Sequence, residues 1–254
     1  MSFWRAMARG FSLIEMAIVL VVIGLILSGG LMAITPVLKS TKTTETNTRL
    51  DLIEKALVLY TIRNGCLPCP ANGDLGAASG LAHGTTAYSS GCQTCASLTA
   101  GSGVVPWGAL GLSPNDATDG WGNLISYVVT GTLTQTTTSM TRSGSTYPSG
   151  TLDINDAAVT ATAITTAAAY VLISHGNDGR GARTLSGTTV AAPAATNVVQ
   201  YNNTRGSCDS GGTLCYQGDP IGIAGTGEFD DVVRWRTAPL IVQQCGDNSC
   251  GNPA

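Results

Sequence analysis

The feature that most constrains this chain is a run of residues from Met16 to Leu38 that contains no charged side chain. As an α-helix rising about 1.5 Å per residue, this run reaches about 34 Å, which exceeds the hydrocarbon core of a bilayer at about 30 Å. A single acid, Glu15, stands directly before the run. The segment therefore predicts a membrane-spanning helix with one carboxylate at its start.

Glu15 needs a partner, because a carboxylate at the edge of an apolar span costs a few kcal/mol on insertion scales. If the chain were cleaved between Gly10 and Phe11, the new α-amino group would lie about one helical turn from Glu15. The amino group of a neighbouring subunit would serve equally well. A partner on a neighbouring subunit would make Glu15 a residue that fixes the register of an assembly.

The segment Gly10-Phe11-Ser12-Leu13-Ile14-Glu15 resembles the class III signal of type IV pilins and type II secretion pseudopilins. This resemblance implies that a prepilin peptidase cleaves after Gly10 and methylates the new N-terminal Phe11. It also implies that Glu15 is the acid that contacts a neighbouring subunit. The implied partners are thus the peptidase, other pilin or pseudopilin subunits and the inner membrane.

Two alternatives remain for this N-terminal segment. One is an uncleaved signal anchor, and the other is a secretory signal cleaved after Ser28-Gly29-Gly30. A secretory signal has an apolar core of only about 7–15 residues, and neither alternative explains Glu15. In all cases Arg5 and Arg9 precede the span, which favours a cytoplasmic N-terminus and an exported C-terminal part.

The exported part is expected to begin with more helix. Apolar residues recur at helical spacing between positions 45 and 63, and Asn64-Gly65 then ends the pattern with a glycine suited to a left-handed cap. Pro36 should open or kink the helix locally. The chain contains 32 glycines, and its wealth of Ser, Thr and Ala suits a loop-rich β domain. The predicted class is α+β, a long N-terminal helix packed on an antiparallel sheet.

The predicted organisation has four parts, which are a leader at 1–10, a membrane and assembly helix at 11–38, the exported half of the helix at 39–64 and a disulfide-rich domain at 65–254. Within the last part, Asp119-Gly120-Trp121-Gly122-Asn123 resembles the Asp-x-Trp-Gly-Asn turn of pseudopilins, which implies a strand at 124–130. Strands are also predicted at 170–174 and 232–235. Residues 132–147 look like a hairpin or a mobile insertion, and 153–169 allow a short helix without deciding for it.

The eight cysteines form four close pairs in a chain that begins with an export segment, which indicates an oxidising compartment where thiols pair. The pairs are Cys66/Cys69, Cys92/Cys95, Cys208/Cys215 and Cys245/Cys250. Two Cys-x2-Cys motifs also suit a zinc ribbon, but the compartment favours disulfides. Spacing leaves the connectivity open. We expect the first two motifs to cross-pair and the last two pairs to close local loops.

A candidate metal site rests on resemblance alone. The pattern Tyr-x-x-x-Ser-x-Gly-x-Asp-Gly from position 170, together with the later Asp-Asp, resembles the calcium loop of major pseudopilins. It implies calcium bound by Asp178, Asp230 and Asp231, since calcium prefers hard oxygen ligands. The chain lacks the spacing of an EF-hand, and a long insertion separates Asp178 from Asp230. Asx turns and hairpin caps explain the same residues equally well.

Composition and motifs argue against catalysis and against nucleic-acid binding. Charged residues make up 11% of the chain and the formal net charge is −3, so no basic patch is implied. No phosphate-binding glycine motif or nucleophile elbow occurs. Ser174, His175 and Asp178 are the residue types of a hydrolase triad. Ser174 and His175 are neighbours, however, and neighbouring strand residues point to opposite faces, so these two should not share a proton. The chain is therefore expected not to be an enzyme.

Three functions fit these observations. The first is a structural, minor subunit of a type II secretion pseudopilus or type IV pilus. The second is a tip or minor pilin whose enlarged domain binds a surface, a secreted substrate or DNA. The third is a signal-anchored periplasmic domain outside any filament. The size of the domain favours a minor component, because major pseudopilins are usually shorter.

Overall fold

The computed structural model describes residues 12–79, 91–96, 101, 103–156, 163–194, 198–205, 215–217, 229–246 and 250–251. Within these, 26–37 and a few other residues are described by their backbone alone. The chain divides into two compact units, Met1–Thr41 and Lys42–Ala254. Each unit is described by itself below.

The first unit contains the start of helix α1, which runs over Leu13–Asn64. Its side chains from position 13 to 25 are exposed and almost all apolar. The helix is assigned without a break through Pro36, so the local opening predicted there does not interrupt it. A search of the described residues for helices with the length and apolarity needed to cross a bilayer found none, and the predicted membrane span is not confirmed.

In the second unit, α1 contributes one apolar side to the core. Leu50, Ile53 and Leu57 are fully buried, Asp51 and Lys55 are exposed, and Glu54 is partly buried. This confirms the stripe at Leu50, Ile53 and Leu57 that helical spacing predicts, whereas Leu52 and Leu59, which the same spacing predicts to widen it, are exposed. Gly65 ends the helix with a φ of 76° and donates its backbone N–H to the Thr61 carbonyl at 2.8 Å, so the left-handed cap is confirmed as well.

The rest of the second unit is built from short strands and helices. The strands are β1 (Ala71–Asn72), β2 (Gly103–Val104), β3 (Asn123–Leu124), β4 (Ser126–Val129), β5 (Leu152–Asn155), β6 (Ala163–Ser174), β7 (Arg183–Thr184), β8 (Cys215–Gln217) and β9 (Val232–Thr237). The helices are α2 (Trp107–Leu110), α3 (Val198–Arg205) and α4 (Ala238–Gln244). Three 3₁₀ segments cover Gly73–Ser79, Pro114–Ala117 and Gly131–Leu133.

The sheet is organised around β6, its longest described strand. β6 pairs antiparallel with β4, β5 and β9, and β8 joins β5 in parallel. β1 and β2 extend the sheet beyond β4, whereas β3 and β7 form a separate pair. The buried strand at 170–174 and the final strand at 232–235 are therefore confirmed, and they are direct neighbours.

Alternation along β6 buries both faces of the sheet. Tyr170 and Leu172 pack into the core that holds the buried face of α1, whereas Val171 and Ile173 pack with Ile154 on the opposite face. Successive side chains of a strand point to opposite faces, so all of them can be buried only if both faces of the sheet are covered. This explains why the strand reads as a continuous apolar run rather than an alternating one.

Three local predictions need correction. The strand expected at 124–130 is divided between β3 and β4, because Ile125 bonds to Ala117 and Val105 instead of continuing either ladder. Residues 132–147 form turns rather than a hairpin, and Met140 fastens them by bonding to the Gly65 carbonyl and the Cys250 N–H. Residues 163–169 belong to β6 and not to a short helix, because pairing with β5 overrides their high alanine content.

Disulfides link the end of α1 to the loop that follows β1. Cys66 pairs with Cys92 and Cys69 with Cys95, with Cα–Cα distances of 5.6 and 5.3 Å, which is the crosswise arrangement we expected. Cys245 pairs locally with Cys250. Cys208 and the side chain of Cys215 lie outside the described residues, so their pairing stays a prediction.

Candidate functional site

The N-terminal segment places Glu15 in the first turn of α1. Its Oε2 accepts a hydrogen bond from the backbone N–H of Ser12 at 3.2 Å, and the Ser12 hydroxyl accepts one from the N–H of Ile14 at 3.4 Å. The two bonds cap the start of the helix, because they satisfy N–H groups that have no partner inside it. Gly10 and Phe11, the predicted cleavage and methylation residues, lie outside the described residues.

The capping role of Glu15 was missed by the sequence reasoning, although its signal was present. Ser12-Leu13-Ile14-Glu15 has the Ser-x-x-Glu spacing of a capping box before an apolar run. A carboxylate here also interacts favourably with the positive end of the helix dipole. Glu15 therefore has a use within its own chain.

The helix that follows Glu15 is apolar on every side. Leu13 is 92% exposed, Leu20 64% and Leu25 68%, and no face from 13 to 25 is polar. A helix that is hydrophobic all round needs apolar surroundings, because soluble monomers rarely expose a continuous apolar surface of this kind. This segment is therefore the strongest candidate interaction surface in the described part of the chain.

The Asp119–Asn123 turn has a structural explanation. Asp119 Oδ1 accepts the N–H groups of Trp121 and Asn123, and its Oδ2 accepts the Ser174 hydroxyl at 2.8 Å. Burial raises the pKa of Asp119, and these donors counteract that effect. Thr46 of α1 accepts the Gly120 N–H at 2.9 Å, so the turn ties the helix to the sheet. The motif thus joins α1, β3 and β6.

Ser174 and His175 do not share a proton, as predicted. His175 Nε2 lies 3.0 Å from the Ser126 hydroxyl, whereas Ser174 bonds to Asp119. His175 Nδ1 has no hydrogen-bond partner in the described part of the chain, so no carboxylate orients the ring there. Burial, and then the charge of Arg183, lowers the pKa of His175 to about 4. The imidazole is neutral at physiological pH and forms part of the buried core.

Large aromatic residues dominate small cores, which predicts that both Trp107 and Trp121 are core anchors. Trp107 is buried in the core that also holds the buried face of α1, which confirms its role. Trp121 is only half-buried, and its indole nitrogen has no hydrogen-bond partner among the residues that the structure describes. Trp121 is therefore not part of the packed core, although its indole nitrogen is buried.

The three candidate calcium ligands do come close together. Asp178 lies in the turn after β6, and Asp230 and Asp231 directly precede β9, which pairs with β6. Burial raises the pKa of Asp231 well above its usual range; a hydrogen bond from Asn203 opposes this, and the charges of Asp230 and Asp178 add to it. The turn and the strand pairing therefore bring together residues that are distant in sequence.

Their oxygens, however, already accept protein donors. Asp230 Oδ2 accepts the N–H groups of Asn177 at 2.6 Å and Asp178 at 3.0 Å, and Asp178 Oδ1 accepts the N–H of Arg180 at 2.9 Å. Within the described ranges, no group of three or more His, Cys, Asp or Glu side chains is placed to hold a metal ion. This donor set does not fit a calcium cage, and the calcium assignment stays a prediction.

A separate cavity of about 280 Å³ lies between α1, β9 and α4. Its lining residues are Asp51, Glu54, Lys55, Val58, Tyr170, Arg236, Leu240, Ile241 and Gln244. Arg236 donates to Glu54 Oε2 at 2.8 Å across this cavity. Two buried atoms in its lining, Glu54 Oε1 and the Tyr170 hydroxyl, have no hydrogen-bond partner among the described residues. The cavity combines apolar side chains with two acidic and two basic residues, so its lining is roughly neutral in charge.

Residues 5–31 match the family model described as the prokaryotic N-terminal methylation motif. The chain therefore carries the prepilin-type signal of type IV pilins and pseudopilins. This match covers the start of the chain and leaves the second unit unassigned. No curated protein and no solved structure matches the chain.

Proposed function

We propose that this chain is a structural pilin-like subunit that prepilin peptidase cleaves after Gly10 and methylates at Phe11. Its N-terminal helix then packs with other pilin or pseudopilin subunits in a type II secretion pseudopilus or type IV pilus, where the chain is a minor component. The observation that carries the proposal is the N-terminal methylation motif followed by a helix whose exposed side chains are apolar on every side.

Membrane insertion before assembly is part of this proposal. It rests on the uncharged sequence from Met16 to Leu38 and on the basic Arg5 and Arg9 before it. The N-terminus would stay in the cytoplasm of a single-pass inner-membrane protein, and the second unit would fold in the periplasm. The disulfides of that unit support export, because such bonds persist in oxidising compartments.

A first experiment determines the N-terminal peptide of the membrane-extracted protein by mass spectrometry. Processing predicts a peptide that begins at N-methylated Phe11. A Gly10→Val variant should keep its Met1 start, because the cleavage site needs a small residue. An intact Met1 in the wild-type protein, or a start after Gly30, would contradict the proposal and leave a signal-anchored or a secreted domain.

A second experiment separates the two uses of Glu15. Glu15→Gln keeps an oxygen that accepts the Ser12 N–H but removes the charge, whereas Ser12→Ala removes the cap and keeps the charge. If the charge binds a neighbouring subunit, Glu15→Gln should be cleaved normally but be lost from sheared filaments. Ser12→Ala should remain in them. Equal incorporation of Glu15→Gln and wild type would show that the acid serves only the cap.

A further inference from the structure

The acidic residues near the end of β6 are held by side chains of α3. Gln200 donates from Nε2 to Asp230 Oδ1, and Asn203 donates from Nδ2 to Asp231 Oδ2 at 2.8 Å. Gln200 and Asn203 are both buried. They are three residues apart, so the helix places them on one side, facing two consecutive aspartates.

The turn after β6 completes this arrangement. Asp230 Oδ2 accepts two backbone N–H groups from Asn177 and Asp178, so this single carboxylate joins the turn to α3. Gly176 adopts a φ of 59°, and a Cβ atom there would collide with the backbone of Asp230. The turn therefore approaches the start of β9 closely enough to require glycine.

Asp231 is buried and the adjacent Asp230 is half-buried, and carboxylates so placed need either a cation or several hydrogen-bond donors. Calcium requires about six to eight oxygen ligands, whereas α3 presents amide N–H donors to these carboxylates. An amide turned by 180° would place its oxygen against a carboxylate, which would be repulsive, so both amides must present their NH₂ groups. Helix α3 therefore presents hydrogen-bond donors to the acids and not metal ligands.

We propose that the amides of Gln200 and Asn203 replace a divalent cation at this cluster. The 175–181 turn and the start of β9 then stay in contact without calcium. Helix α3 holds Asp230 and Asp231 in place through these two hydrogen bonds. The resemblance that suggested calcium at Asp178, Asp230 and Asp231 then reflects a shared turn with different neutralising chemistry. This inference does not depend on filament assembly.

Thermal unfolding of the detergent-solubilised full-length protein, followed by tryptophan fluorescence, tests the proposal with calcium chloride as the probe. The melting temperature of the wild type should be the same in EDTA and in millimolar calcium. Asn203→Asp replaces the donor by an acid that faces the buried Asp231. This variant should melt several degrees lower in EDTA and recover in calcium, because the cation can then neutralise the acids.

Two further variants keep the experiment decisive. Asn47→Asp makes the same chemical change on α1, where Arg234 donates to Asn47 at 2.9 Å, and should show no response to calcium. The exchange Asn203→Asp with Asp231→Asn restores an amide opposite a carboxylate. It should recover most of the lost stability in EDTA and lose the calcium response, even if Asn203→Asp alone fails to fold.

The opposite results would overturn the proposal. A wild-type melting temperature that rises by several degrees in calcium and falls again in EDTA would show that the acids bind the ion. The proposal would also fail if Asn203→Asp were as stable as wild type in EDTA. The hydrogen bond from the Asn203 amide would then contribute nothing to the stability of the acidic cluster. Failure of the exchange variant to recover would show that geometry, rather than donor chemistry, holds α3 in place.

Discussion

Residues 13–25 and residues 50–57 lie in the same helix, yet their apolar side chains meet opposite surroundings. In the first segment Ile14 is 69% exposed and Ile18 59%, whereas Leu50, Ile53 and Leu57 are fully buried. The first segment is apolar on all sides, and the second is apolar along one stripe. A stripe can be covered by the sheet of the same chain, but an all-round apolar helix needs cover from lipid or from other subunits.

Under the proposed function, this difference separates the segment that stabilises the second unit from the segment that assembles with other subunits. Substitutions in the stripe should change the stability of the second unit and leave processing intact. Substitutions between positions 13 and 25 should change membrane insertion or incorporation and leave the unfolding of the second unit unchanged. The predictions below test this separation, from the largest expected effect to the smallest.

Leu57→Ala should cause the largest loss of stability, about 2–5 kcal/mol, because it leaves a cavity in a packed core. Leu59→Ala is the matched control. Leu59 lies half a turn further along and is 58% exposed, so its truncation should cost less than about 0.5 kcal/mol. Chemical denaturation followed by tryptophan fluorescence measures both. Similar losses for the two variants would break the distinction between the covered and uncovered faces of α1.

Removing disulfides should have a comparable effect. Replacing Cys66, Cys69, Cys92 and Cys95 by Ala removes both crosswise disulfides and opens a loop with a sequence separation of 26, which should cost at least about 3.5 kcal/mol in the chain-entropy model. Replacing Cys245 and Cys250, separated by 5, should cost only about 2 kcal/mol. Denaturation of both variants, with full-length protein in detergent, checks the ranking. A reversed ranking would show that local packing outweighs loop length.

These two predictions use features that can be predicted from the sequence alone. Helical spacing predicted the buried stripe of α1, and the paired cysteines predicted the disulfides, because both are local patterns. The strand at 163–169 could not be predicted, since its alanines and threonines allow a helix and only pairing with β5 decides. Local sequence is informative where the structure depends on neighbours in the chain, and uninformative where it depends on distant partners.

The candidate sites show the same division. The cleavage motif and Glu15 are contiguous, so the sequence revealed them, and the capping spacing of Ser12 was also visible there. The donors to Asp230 and Asp231 come from α3, about thirty residues earlier, and Gln200 and Asn203 carry no recognisable motif. Composition alone could not show that these amides, rather than an ion, face the acids.

Acid should weaken the second unit through His175. Its folded-state pKa is about 4, below the ordinary 6.5, so the unfolded chain binds the proton more readily between these values. The free energy of unfolding should therefore fall by about 3 kcal/mol as the pH drops from about 6.5 to about 4. Buried carboxyls with raised pKa values, Asp119 and Asp231, change stability in the opposite direction.

The contribution of His175 is isolated by a variant. His175→Gln can still bond to Ser126 but cannot take up a proton in this range. The difference in unfolding free energy between wild type and His175→Gln should become smaller as the pH falls. A difference that stays constant from pH 7 to pH 4 would show that the histidine is not kept neutral by burial. Urea denaturation at several pH values provides the measurement.

The smallest effect is expected at the start of α1. Ser12→Ala removes the hydroxyl that accepts the Ile14 N–H and should destabilise the first turn by about 1 kcal/mol, which is about fivefold in hydrogen-exchange protection. Ser12→Asn, another good capping residue, should retain most of that protection. Exchange at the N–H groups of residues 14–16 in detergent measures the effect. The unfolding of the second unit should stay unchanged, since its core depends on the stripe around Leu57. A Ser12→Ala variant that weakened both regions equally would show that α1 responds as one cooperative element, and the separation between its assembling and folding segments would then be wrong.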